Sequence, residues 1–195
     1  MEANLKNQAT TAVAMLRIVS LASSPVDLIK DALRTVLYIE SVIAFQELPH
    51  DALDLLASTH SLTLAYREVS ELVMSVEAAI IIIDRWLEPR ASGLQGLPGA
   101  SWRVRADELR GAVAHASCML VSAGTYCYRA AAVLKVSSER WRTFPTDLRK
   151  TWMKDARSSL TSVRDRLIDA LCALSQMSAA ATEARDAAKI LIDFL

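Results

Sequence analysis

Cysteine, glycine and proline are scarce in this chain. Its 195 residues hold three cysteines, five glycines and five prolines. Three cysteines make no disulfide framework. Cys118 and Cys127 lie nine apart, on opposite sides of any helix that carries both, so they cannot bridge each other. Free thiols point to a reduced, intracellular and cytoplasmic setting. A charge surplus is also lacking: 22 Lys and Arg balance 22 Asp and Glu. That excludes the basic surface of a general nucleic-acid binder and leaves a neutral chain prone to self-association. Long apolar runs are missing too. Only Lys6 precedes the first apolar stretch and Arg17 interrupts it, which does not read as a secretory signal, and no transmembrane helix is expected.

What is present is globular in balance, with 52% hydrophobic and 23% charged residues. A length near 200 residues suits one domain, 1–195, with a sizeable core. Proline costs about 3 kcal/mol inside a helix. Pro25, Pro49, Pro89, Pro98 and Pro145 therefore cut the chain into helical pieces. Gly93, Gly96 and Gly99 share one loop with two of these prolines. The pieces expected are about 4–22, 24–47, 50–87, 102–137 and 146 to the end. Ser24 caps the second, Pro25 fits its first turn, and Asp27 suits its positive end.

Steps of three and four then define seams. The third piece gives Leu55, Thr59, Leu62, Tyr66, Val69, Val73, Val76, Ile80, Ile83 and Leu87. The fourth runs from Trp102 through Leu109, Leu120 and Cys127 to Leu134, Ser137 and Trp141. The fifth runs from Leu160 through Leu174 and Ala184 to Leu195. Seams sustained this long indicate left-handed helix packing. The expected fold is all-α: an elongated antiparallel up-and-down bundle of four long helices plus a short N-terminal helix, with coiled-coil-like packing. The run Ile80, Ile81, Ile82, Ile83 becomes one helical turn covered on nearly all sides, with the N-terminal helix over it. Glu77 and Asp84 bracket only six apolar residues, far short of the about 20 needed to span a membrane.

Candidate chemistry is thin. Residues 111–128 carry no Asp, Glu, Lys or Arg and are rich in small side chains, as at a close helix–helix contact. His115, Cys118 and Met119 share a face suited to a soft metal, but no second cluster completes a site, so no metal or cofactor is expected. Arg110 and His115 form R-x4-H. This spacing resembles the ribonuclease motif of the HEPN family, small all-helical domains that cleave RNA as dimers. The resemblance covers these two residues and the all-α class, and Gly111 follows the arginine where the family often has a polar residue. It implies that Arg110 and His115 act together on RNA across a dimer.

The strongest surface candidate is "SERWRTFPTDLRKTWMKDAR", residues 138–157, with a net charge of +3 and interleaved aromatics. Arg140, Trp141, Arg149, Lys150 and Trp152 are the expected partner-binding residues, because Trp and Arg together suit interfaces and lipid headgroups. The competing reading pairs this turn with the acidic turn of Glu40, Glu47, Asp51 and Asp54. The function expected is a non-enzymatic interaction protein (adaptor, scaffold or effector) that binds a protein partner and itself, by an overhanging stripe of Ala181, Ala184, Ala188, Leu191 and Leu195. The alternatives are a membrane-perturbing or pore-forming helical protein and a HEPN-like ribonuclease.

Overall fold

The computed structural model describes residues 2–44, 52–88, 90, 97–140 and 143–194, with side chains for 4–43, 54–88, 90, 101–135 and 143–194. It is all-helical, and no strand occurs among the described residues. Five helices follow in order: α1 Glu2–Ser20, α2 Ser24–Ala44, α3 Ala52–Leu87, α4 Leu97–Arg140 and α5 Thr146–Phe194. α4 begins five residues before the expected boundary and takes in Pro98 and Gly99. Proline is tolerated there because the first turn's N–H groups have no intrahelical acceptor.

The chain packs as two compact units. The first holds Met1–Ser23, Glu68–Ser117 and Ala173–Leu195; the second holds Ser24–Arg67 and Cys118–Cys172. Each is built of four helical segments, since α3, α4 and α5 contribute to both.

In the first unit α1 buries Ala9, Ala12, Leu16 and Val19, at spacings of three and four. Ala181, Ala184, Ala188 and Leu191 of α5 are fully buried within the same chain. These four form no overhanging stripe, because α1 belongs to the unit that covers them; Leu195 lies outside the described residues. Small residues on both helices allow close approach. Ser178 Oγ of α5 donates to Ser20 O of α1 at 2.7 Å, satisfying one of the carbonyls a helix leaves open at its C-terminus. α3 and α4 run antiparallel here: Trp102 Nε1 donates to Asp84 Oδ1 at 2.9 Å, and Arg110 Nε lies 3.1 Å from Glu77 Oε1. Ile80 and Ile83 are fully buried, but Ile81 is 46% exposed. The four-isoleucine turn is therefore not covered on all sides. Ile82 is half-buried, so the open side of the turn is Ile81.

In the second unit α2 buries Ile29, Ala32, Val36, Ile39 and Ile43. This frame restarts one residue earlier than a continuation of α1 requires, and the break before Pro25 accommodates the slip. α2 has no cation in its own last turn. Arg157 Nη2 of α5 donates to Ile43 O at 3.2 Å instead. α2 and α5 are antiparallel: Arg164 Nη1 lies 3.2 Å from Glu40 Oε2. On α3 the buried positions are Leu55, Ser58, Leu62 and Ala65, where the sequence suggested Leu55, Thr59, Leu62 and Tyr66. Ser58 can be buried because its hydroxyl donates to Asp54 O at 3.0 Å. On α4, every expected seam position from Trp102 to Leu134 is buried; Ser137 and Trp141 lie outside the described side chains.

Candidate functional site

The basic aromatic turn was the sequence's first choice. Trp141 and the Arg140 side chain lie outside the described residues. Trp152, expected among the partner-binding residues, is only 9% exposed. Trp152 and Met153 both point inward, and Ala156 and Leu160 continue the buried face, so core is already available in the first turns of α5. Arg149 is half-buried, and its Nε donates to Phe144 O at 2.9 Å. Lys150 and Lys154 are exposed. Of the acidic turn, Glu40 accepts from Arg164 and, at 3.3 Å, from Thr161 Oγ1, while Glu47 and Asp51 lie outside the described residues. Arg149 thus ties down the link before α5, and Arg157 caps the end of α2.

Arg110 and His115 are five residues apart on α4, about 140° around a helix. Arg110 faces α3, where Glu77 takes its Nε at 3.1 and 3.2 Å and its Nη2 at 3.2 Å. Asp107 accepts from Nη1 at 3.3 Å. His115 is exposed. The pair does not converge within one chain, and the guanidinium already holds two carboxylates. Glu77 is the main cause that keeps Arg110 above its ordinary pKa.

A cleft of about 580 Å³ in the first unit borders these residues. Asp84, Arg85 and Glu88 line it from the end of α3, and Arg103, Asp107 and Arg110 from α4. Charges balance, and Asp84 and Arg110 are committed to Trp102 and Glu77. Its lining holds no Ser, Thr, Cys or His, and among the described residues no group of three His, Cys, Asp or Glu could hold a metal ion.

The second unit carries a different feature, a groove of about 340 Å³ between α3 and α4. Leu62 and Leu120 form its floor; Tyr66, Val121 and Tyr128 stand along its sides at 40%, 52% and 60% exposure. Three threonines line it, yet it is apolar. Thr59, Thr63 and Thr125 turn their hydroxyls back to the carbonyls of Leu55, Thr59 and Val121, at 3.1, 3.0 and 2.9 Å, and so leave methyl groups to the groove. Gly124 also lines it, and a Cβ there would meet nothing within 4 Å. Glycine inside a helix costs about 0.5–1 kcal/mol against alanine, and no neighbour in the chain explains it. No acidic residue occurs in 55–67 of α3 or in 109–138 of α4. Sequence reasoning noted the small, uncharged 111–128 stretch but assigned Tyr66 to the core.

The thiols differ. Cys118 and Cys172 are exposed; Cys127 is buried and its Sγ lies 3.5 Å from Leu55 O. Burial pushes the Cys127 thiol up, and a hydrogen bond with Thr59 offsets part of that. One stretch, Asn4–Ile43, is long and apolar enough by composition to cross a membrane, with a mean hydropathy of 1.6 in its best 18-residue window. The sequence reading had no such helix. The stretch comprises α1 and α2, and 28% of that window is buried.

No protein-family model matches this sequence, and no curated protein or solved structure matches the chain.

Proposed function

We propose that this chain is a non-enzymatic helical interaction module, an adaptor, scaffold or effector that binds a protein partner and associates with itself. The antiparallel, coiled-coil-like bundle expected from the sequence is its scaffold, a reading supported by the regular three-and-four spacing of buried positions on α4 and α5. The α3–α4 groove carries the functional reading. It combines two exposed tyrosines, an exposed valine, threonine methyls and an unfilled glycine. Tyrosine gives large contact area and a polar tip, as interfaces favour. The three free thiols support a reducing, cytoplasmic setting.

The test is retention of proteins from cell extract on immobilised wild type and on Tyr66→Glu, followed by titration of the purified candidate. The expected result is a protein that binds wild type and not the variant. Equal binding to both would contradict the reading.

The membrane-perturbing alternative has one observation in favour, the apolar Asn4–Ile43 stretch. Dye leakage from vesicles of anionic lipid would support it. The HEPN-like alternative has less support, because Glu77 and Asp107 already occupy Arg110; cleavage of RNA by wild type and its loss in His115→Ala would revive it.

A further inference from the structure

The α3–α4 groove lies wholly within the second unit, and its two walls repeat one pattern. On α3 the lining residues Thr59, Leu62, Thr63 and Tyr66 fall at i, i+3, i+4 and i+7. On α4 Val121, Gly124, Thr125 and Tyr128 fall at the same spacings. α3 leaves this unit at Arg67 and α4 enters it at Cys118, with Leu55 beside Cys127. The helices therefore run antiparallel, and the two tyrosines stand at opposite ends of the groove. Across a local two-fold, threonine answers threonine and tyrosine answers tyrosine. The pattern breaks where Leu62 is answered by Gly124. Leucine fills its half of the groove; glycine leaves the other half open, with nothing within 4 Å of a Cβ placed there.

An aliphatic side chain brought by a partner fits that opening, because glycine admits close approach to a helix backbone. From Thr59 to Tyr66 the groove runs about 10 Å, two helical turns, which matches the i, i+3 or i+4, and i+7 anchors of an incoming helix. A polar small molecule has little to hold, since the three threonine hydroxyls are committed to carbonyls of their own helices. A flat bilayer does not enter a furrow between two helices. The rim adds a sign. His60 and Arg67 lie three before and four after Thr63, and Arg129 lies four after Thr125, so each stands on the outer side of a lining threonine. All three are exposed, and Arg129 has no partner among the described residues. No Asp or Glu occurs in 55–67 of α3 or in 109–138 of α4, and Asp54 lines the cleft between α2 and α3 instead.

We propose that the α3–α4 groove docks an acidic amphipathic helix of a protein partner, which seats an aliphatic side chain at Gly124 and sets Asp or Glu against Arg129. The inference rests on the interaction-module reading and gives its partner a chemistry. Apolar contact in the groove supplies the hold, and the cationic rim selects acidic helices over basic ones. Copies of the chain that meet through this groove compete with the partner for it.

A displayed library of helical peptides of about 15 residues, selected on the immobilised full chain, tests it. The selected peptides should carry an aliphatic stripe and an excess of Asp and Glu. As purified peptides they should bind Gly124→Leu about tenfold more weakly, because leucine fills the opening from within. They should bind Arg129→Glu about fivefold more weakly, because the rim's charge is reversed. Met74→Glu, exposed on α3 in the first unit, should bind them as wild type does. Thermal melts check that each variant is folded; if Gly124→Leu is not, Arg129→Glu and the charge of the selected peptides decide. No enrichment, enriched peptides that are neutral or basic, or full binding to Arg129→Glu would overturn the proposal. Anionic lipid vesicles that bind wild type and not Gly124→Leu, with no peptide selected, would overturn it in favour of a membrane. A protein from cell extract lost in Tyr66→Glu but bound fully by Gly124→Leu and Arg129→Glu would refute the acidic helix and keep the interaction reading. Neither a selected peptide nor such a protein would sink both.

Discussion

Trp102 donates its indole N–H to Asp84 Oδ1 across 2.9 Å, joining the beginning of α4 to the end of α3 within the first unit. The indole is fully buried and needs an acceptor. Asp84→Ala removes it and should cost about 1–3 kcal/mol, the penalty of a buried donor left unpaired. Urea unfolding measures this. An unchanged midpoint would mean that water reaches the indole and replaces the carboxylate.

Trp152→Ala should destabilise the protein by about 3–5 kcal/mol, as truncation of a buried tryptophan does. The ring is 9% exposed and lies in the second turn of α5, so its truncation leaves a cavity in the core of the second unit. A melting temperature that stays put, with partner binding lost, would restore the basic turn as an interaction site.

Thiol titration separates the cysteines. The thiolate is the reactive form, and burial raises the Cys127 pKa. In the folded protein Cys118 and Cys172 should react with a disulfide reagent at mildly alkaline pH, and Cys127 only after denaturation. Three thiols reacting together in the native state would contradict the packing of α4 against Leu55.

Gly124→Ala should raise the stability of the dilute protein by about 0.5–1 kcal/mol, because alanine favours the helix and its methyl enters open space. A loss of stability in a thermal melt would show that the groove is narrower than 340 Å³ suggests.

Much of the core was legible in the sequence, and particular residues show why. On α4 the seam from Trp102 to Leu134 follows from spacing alone, since one apolar face keeps one frame along the helix. α3 misled at Thr59 and Tyr66, where the core takes Ser58 and Ala65. Hydropathy favours a tyrosine over a serine, but a hydroxyl bonded to the carbonyl four residues back removes the penalty for burying Ser58. The cover over Trp152 was not legible, because it depends on neighbours distant in sequence. The groove could not be read at all before α3 and α4 were known to be adjacent, although the uncharged 111–128 stretch was its trace.

Amide chemical shifts of the labelled protein, followed from dilute to concentrated solution, test the interface most directly. Self-association through the α3–α4 groove requires concentration-dependent shifts at Tyr66, Val121 and Tyr128, with residues 146–157 and the Asp84–Arg110 cleft unchanged. Shifts confined to residues 146–157, or no dependence on concentration, would contradict it.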